Sequence, residues 1–566
     1  MSPALIQVQN LTFGYDRLSV LSDITLDLAF GQSVAILGPN GSGKSTFLRC
    51  LSGGLQPDRG EVRVDGLSTA DPSHTIDIRR RVGLLFQNPD HQIVSAIVED
   101  DIAFGLENLG VPHAEMTARV GEALERFNLT NLRGRPSHDL SGGERQRLAL
   151  AGVWVTRPRF LLLDEPTALL DPLARHRSLQ IIFDLVPAGV TPIVVTHDPD
   201  DAARADRLLV LSDGKIVEDG TPSHLLANPS RLTQHGLDTT MPGRIARRLG
   251  RQDPLPVEAG DFASTFTNTV LSPKTSPTKR TPTRAVIEAT GLSHVYNLGH
   301  PLETCALDGI DLSIEEGEWV AIVGPSGSGK STFALHLNAL LQPTAGSLSV
   351  LGNPTAPLSK RDALQLRRDV GLIFQFPESQ LFAESVASDV AFGPRNLEMD
   401  KIEDRVDRAL EQVGLSPETY RERNPLTLSG GEKRRIAIAG VLVTSPRILV
   451  LDEPTAALDP AATDDFEELL YGLQSQDVTI LMITHDLDRA ASTCDRIIAF
   501  NDGRVAFTES PHTAFDDHAR LESLGLIPPS AARLADELRT AGLALPEGIS
   551  TEAQIVAALG GPSENE

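Results

Sequence analysis

The apolar residues of this chain gather in short, dense runs. Val34-Ala35-Ile36-Leu37 and the run from Val320 to Val323 have the length and continuity predicted for strands buried on both faces. FLLLD at 160–164 and ILVLD at 448–452 read the same way, and each ends in acid. Each of the first two runs enters a glycine-rich stretch and then a helix-like segment. No run approaches the ~18 consecutive apolar residues of a membrane-spanning helix. Two weaker patterns, 235–250 and 524–542, each combine Gly-Leu, a proline and apolar residues three and four apart. Each predicts a small helical appendage. Residues 252–284 are rich in Pro, Thr and Ser without apolar period and read as a linker.

These patterns occur twice. GPNGSGKST at 38–46 recurs as GPSGSGKST at 324–332, LSGGE at 140–144 recurs at 428–432, LDEPTA at 163–168 recurs at 451–456, and VTHD at 195–198 matches ITHD at 483–486. Four strings in one order at a nearly constant offset identify a tandem duplication, a two-fold pseudo-symmetric object. The expected organisation is an α/β domain at 1–228, an appendage at 229–251, the linker at 252–284, a second α/β domain at 285–512 and a C-terminal helical appendage at 513–566.

Strand, glycine-rich loop and helix form the context of a phosphate-binding loop. Gly38, Asn40, Gly41, Gly43, Lys44, Ser45 and Thr46 make the first, and Gly324, Ser326, Gly327, Gly329, Lys330, Ser331 and Thr332 the second. Glycines let successive N–H groups turn inward, and the helix N-terminus adds its positive end. Lys44 and Lys330 would meet the β- and γ-phosphates of ATP, and Ser45 and Ser331 would offer hydroxyls to Mg2+. A buried strand ending in carboxylates is costly unless a cation awaits them, so Asp164 and Asp452 are candidate Mg2+ ligands. Glu165 and Glu453 follow, directed elsewhere by strand alternation, as candidates to polarise an attacking water. Ser141-Gly142-Gly143 and Ser429-Gly430-Gly431, each opening a helix, form a second phosphate-binding device per half. This predicts that each nucleotide is held by the phosphate loop of one half and the serine-glycine turn of the other.

The order of phosphate loop, Gln87, LSGGE, LDEP and His197, repeated with Gln375 and His485, resembles the ATP-binding-cassette ATPases over nearly the whole chain. The resemblance implies tandem α/β domains, each a mixed-sheet core with a β subdomain and a helical subdomain, packed head to tail as a pseudo-dimer. It implies that Gln87 and Gln375 sense γ-phosphate and Mg2+, that His197 and His485 contact the γ-phosphate, and that Asp171 and Asp459 lie on the loop crossing the interface. Tyr15 and Tyr296 would stack on adenine. With neither glutamate nor signature turn lost, both sites are expected to hydrolyse ATP. The segments FQNPDHQIVSAIVEDDIAFG and FQFPESQLFAESVASDVAFG further resemble the two ATPases of energy-coupling factor importers, here fused. That group works under an integral membrane scaffold, beside a small solute-binding membrane protein, on the cytoplasmic face of the membrane. Its cargoes are vitamins, vitamin precursors or transition-metal ions. Asp90 and Glu378 match acids expected near basic residues of the scaffold.

Charge and composition narrow the alternatives. The formal charge of −25 argues against nucleic acid as main partner and against unaided adhesion to anionic lipid. The basic patches and long charged linker of ribosome-acting tandem ATPases are missing, and residues 47–139 are too few for a coiled-coil or zinc insertion. An ATPase of another importer class would share every catalytic motif. Cys50, Cys305 and Cys494 form no disulfide pattern and read as small buried hydrophobes in a reducing cytoplasm.

Overall fold

The computed structural model describes residues 5–15, 18–167, 170, 172–266, 284–300, 303–374, 377–454 and 460–561. Two compact units divide the chain. The first comprises Met1–Pro273, Leu534–Leu545 and Glu552–Glu566, and the second Lys274–Arg533 and Pro546–Thr551.

In the first unit, Val34–Leu37 is wholly buried between the parallel strands Thr191–Thr196 and Arg207–Ser212. The six-stranded sheet runs Lys215–Gly220, Arg207–Ser212, Val34–Leu37, Thr191–Thr196, Phe160–Asp164, Val82–Leu85, and only its outer hairpin is antiparallel. Its continuous apolar runs suit burial on both faces. Strands Leu5–Tyr15 and Leu18–Ala29 alternate instead, and belong to an antiparallel sheet with Arg59–Val64 and Leu67–Ser68. Between the two sheets lies helix Lys44–Leu51, whose Phe47, Leu48 and Leu51 are fully buried against Ile36, Val62 and Leu209. Burying one such side chain stabilises by about 1.5–3 kcal/mol, which fixes the helix start where the loop needs it. Helices Val98–Asn108, His113–Arg126 and Gly142–Trp154 share their own core of Ile102, Leu106, Leu124, Phe127 and Trp154. The first two lie between Gln87 and Ser141 and supply the expected helical subdomain.

The second unit repeats the plan. Its sheet runs Val370–Ile373, Ile448–Asp452, Thr479–Ile483, Trp319–Val323, Arg496–Asn501, Arg504–Glu509, beside an antiparallel sheet of Thr304–Glu315, Ala285–Tyr296, Ala345–Val350 and Asn353–Pro354. Among the described residues no helix is long and apolar enough to cross a membrane.

Three expectations change. Residues 252–266, expected as linker, pack: helix Ala259–Ser264 forms, and Leu255, Val257 and Phe262 are buried. Their apolar side chains stand too far apart to make a period. The C-terminal appendage does not stay together with its own half. Ile555 and Val556 of helix Glu552–Ala558 and Ile245 and Ala246 of helix Met241–Arg248 are buried within the first unit, and Arg244 pairs with Glu552 at 2.6 Å. Finally, Cys305 is exposed, whereas Cys50 and Cys494 are buried, with thiols pushed up to about 12 chiefly by burial.

Candidate functional site

The strand Val34–Leu37 delivers the chain to Gly38, where a Cβ would lie 2.2 Å from the Leu211 carbonyl oxygen. Only glycine lets the loop leave the sheet so close to its neighbour. Gly41 and Gly43 follow at φ 78° and 100°, with Asn40 and Gly41 exposed at the crest. Helix Lys44–Leu51 starts directly behind them, so its unpaired first-turn N–H groups open into the loop. Beneath it the buried Ser42 hydroxyl has no hydrogen-bond partner among the described residues. Lys44 is buried, and its ammonium donates to the carbonyls of Gly38 (2.7 Å) and Pro39 (2.9 Å). Burial lowers its pKa, against the opposing pull of Glu165 and Asp164. The second unit repeats this: Lys330 donates to Gly324 and Pro325, each at 2.8 Å, and Gly327 and Gly329 have φ 79° and 100°.

Ser45 Oγ donates to Asp164 Oδ1 at 2.9 Å. Burial raises the Asp164 carboxyl above its usual range, with Ser45 opposing, and the same pattern holds for Asp452 and Ser331. A hydroxyl beside a desolvated carboxylate is a hard-oxygen donor pair of the kind Mg2+ takes, its remaining positions going to phosphate and water. Glu165 and Glu453 are not aimed by strand alternation. Each sits in the left-handed region, φ 44° and 52°, after its strand has ended at the aspartate. For a non-glycine residue this costs on the order of 1–3 kcal/mol, a strain typical of functional positions. Gln87 Nε2 donates to Glu165 Oε2 at 3.0 Å, and His197 Nδ1 stands 3.8 Å from Glu165 Oε1. The interaction with Glu165 holds the His197 imidazole above its ordinary pKa, and the interaction with His197 holds Glu165 below its own. In the second unit His485 Nδ1 closes on Glu453 Oε2 at 2.6 Å.

Ser141 and Ser429 each begin a helix through a reciprocal cap. Ser141 Oγ donates to Glu144 Oε2 at 2.8 Å and Ser429 Oγ to Glu432 Oε2 at 2.6 Å, and each glutamate N–H returns to the serine at 3.4 Å. The S-x-x-E spacing carries this signal, so Glu144 and Glu432 were findable from sequence. Tyr420, which also donates to Glu432 at 2.8 Å, has no counterpart in the first half and was not. These bonds to Ser429 and Tyr420 hold the Glu432 carboxyl at about 2. A Cβ at Gly430 or Gly431 would meet nothing within 4 Å, whereas one at Gly143 would come 3.1 Å from Ala174 Cβ.

Tyr15 is exposed and edge-on to Phe13 at 5.0 Å. Tyr296 is tied down, its hydroxyl 3.3 Å from Thr332 Oγ1 and its ring 4.6 Å from His294. Gln375, Asp171 and Asp459 lie outside the described residues.

The segments after Gln87 and Phe374 are pinned by their own motif residues. Gln92 bridges Phe86 N–H and the Leu84 carbonyl, and Asp101 Oδ1 accepts from Val94 and Ser95 N–H at 2.7 and 2.8 Å. Asp389 does the same for Phe382 and Ala383. What these pins display is apolar: Val94 and Phe104 in one half, and in the other Phe382 and Phe392, exposed and edge-to-face at 4.8 Å. Asp90 pairs with Arg145 at 3.3 Å, whereas one oxygen of Glu378 is buried without a hydrogen-bond partner among the described residues.

The family signature described as ABC transporter matches residues 21–168 and 307–456. A Caldanaerobacter subterraneus protein named as a candidate ABC transporter ATP-binding protein is 33% identical over 97% of this chain and 99% of its own length. A Bifidobacterium longum protein of the same naming is 37% identical over 87% of this chain, which spans 64% of that relative's length. A Bacillus subtilis protein named as a candidate HMP/thiamine import ATP-binding protein is 31% identical over 91% of this chain and 93% of its own length.

Proposed function

Since the chain belongs to the ABC transporter ATP-binding proteins and is an ATPase with two such domains, we propose that it energises an importer of the energy-coupling factor class. Two ATP molecules would bind. One would lie between Lys44, Glu165 and His197 and the turn of Ser429 and Gly431, the other between Lys330, Glu453 and His485 and the turn of Ser141 and Gly143. The open space around Gly430 and Gly431 supports this, because among the described residues nothing within 4 Å demands glycine there.

At each site the protein's part is positioning and charge. On nucleotide arrival the lysine exchanges loop carbonyls for phosphate oxygens. Ser45 and Asp164, or Ser331 and Asp452, with Gln87 and Gln375 alongside, would hold Mg2+, which would supply positive charge to those oxygens. Glu165, fixed by its left-handed backbone and by Gln87, polarises the attacking water, and His197 donates toward the γ-phosphate. Glu453 and His485 repeat these roles, with Tyr15 and Tyr296 against adenine.

One observation carries the importer assignment: the pinned, exposed apolar pairs after the glutamine loops, lying in the segments that resemble energy-coupling factor ATPases. They would receive cytoplasmic helices of an integral membrane scaffold, with Asp90 and Glu378 meeting its basic residues. A small membrane protein would bind the solute, a vitamin, vitamin precursor or transition-metal ion. The thiamine-import name of the Bacillus subtilis relative supports this class. The chain would then sit peripherally on the cytoplasmic face of the membrane through these partners.

The test is co-purification from membranes. The wild-type chain should bring two integral proteins with it. Phe382→Ser with Phe392→Ser should lose them and keep ATPase activity in solution. Retained partners, or co-sedimentation with ribosomes instead, would overturn the assignment.

A further inference from the structure

In both halves the residue three positions past the histidine reaches out of the ATPase core. Asp200, after His197, accepts from the N–H of Met241 with Oδ1 at 3.2 Å, and its Oδ2 lies 4.0 Å from Arg244. Met241 is the first residue of helix Met241–Arg248, in the first appendage. Asp488, after His485, accepts from Ser530 N–H with Oδ1 at 2.6 Å and from Ser530 Oγ with Oδ2 at 2.8 Å. Ser530 is the first residue of helix Ser530–Thr540, in the second appendage. The two contacts span 41 and 42 residues. The appendage sequences differ, with Met-Pro-Gly at one helix start and Ser-Ala-Ala at the other, yet the same acid grips the same point of each.

The turn between histidine and acid is held at both ends. Thr196 Oγ1 accepts from Asp198 N–H, and Thr484 Oγ1 from Asp486 N–H, each at 3.0 Å. Asp198 caps the short helix Pro199–Ala202 by accepting from Asp200 N–H at 2.8 Å, and Asp486 caps Leu487–Thr493 through Arg489 N–H at 3.1 Å. Arg175 joins Asp198 to Asp201, and Arg489 joins Asp486 to Glu467. A movement of either appendage helix therefore reaches the histidine through one carboxylate and a single braced turn.

We propose that Asp200 and Asp488 are positioning residues for hydrolysis, bracing the turns of His197 and His485 against the helical appendages. The appendage is then a working part of the ATPase. This rests on the reading that the two histidines act at the γ-phosphate.

The experiment is steady-state ATPase kinetics on the purified full chain. Asp200→Ala with Asp488→Ala should lower kcat about tenfold while KM for ATP stays within about twofold, because the phosphate loops are untouched. Asp200→Asn with Asp488→Asn should restore kcat, since an amide oxygen still accepts from the helix N–H and Ser530 Oγ can accept in return. Met241→Pro with Ser530→Pro approaches from the other side. It deletes the backbone donors while proline suits a first helical position, and it should reproduce the kcat loss. His197→Ala with His485→Ala serves as reference. If it is inactive while the alanine and proline variants turn over like wild type, the brace is wrong and the histidine reading stands. If it turns over normally, the histidine reading fails. A parallel fall in kcat, ATP affinity and Tm without rescue by asparagine would mark the carboxylates as merely structural and overturn the proposal.

Discussion

His336 Nε2 lies 3.2 Å from His294 Nδ1 in the second unit, where the repeat places Cys50 and Phe13 in the first. Both imidazoles are buried beneath the nucleotide loop, with Tyr296 edge-on to one of them. His336 Nδ1 meets the Thr332 carbonyl at 2.7 Å and His294 Nδ1 the Gln342 carbonyl at 3.0 Å. Burial holds the His336 pKa below its ordinary 6.5, with the neighbouring His294 adding to the effect. The unfolded chain thus takes up a proton near pH 6.5 that the folded chain refuses. Stability should be unaffected above that pH and fall as pH drops through it, by up to about 1.4 kcal/mol per unit. His336→Cys should flatten the fall, read as Tm between pH 7.5 and 5.5; an unchanged slope would locate the proton elsewhere.

The left-handed glutamates test whether both sites work. Glu165→Gln and Glu453→Gln should each cut turnover by about a hundredfold, the scale of a lost general base. Full activity in either single variant would show that its site is not a competent one.

Glu165 and His197 should titrate as a pair. Glu165 lies below its ordinary pKa and His197 above its own. The stability their interaction adds is complete between the ordinary values of 4.5 and 6.5. It is lost as pH falls through the depressed glutamate pKa, and again as pH rises through the elevated histidine pKa. Imidazole NMR on nucleotide-free protein should show the His197 midpoint above 6.5, returning toward it in Glu165→Gln.

Gly431→Ala separates stability from function. A Cβ there meets nothing within 4 Å, and alanine favours helix over glycine by up to about 1 kcal/mol. Tm should hold or rise while ATPase activity collapses, if a phosphate approaches that backbone. Undiminished activity would remove the second grip on the nucleotide.

The fold's chemistry was legible wherever it is local. Continuous runs such as Val34–Leu37 declare two-faced burial, and glycines at Gly38 and Gly43 declare a loop with no room for side chains. The direction of Glu165 was misread because a backbone flip, rather than the pleat, sets it. The burial of Leu255 and Phe262 was hidden by their proline-rich setting. Tyr420 reaching Glu432, Asp200 reaching Met241 and Arg244 reaching Glu552 are meetings of distant positions that no local spacing announces.

The helix Glu552–Ala558 belongs to the same unit as Met241–Arg248. During synthesis, then, that lobe is completed only after the second ATPase domain has been made. Until Glu552–Ala558 emerges, Met241–Arg248, with Ile245 and Ala246, lacks that packing partner. A stop codon shortly before residue 552 would therefore injure the lobe whose ATPase core is encoded before the other.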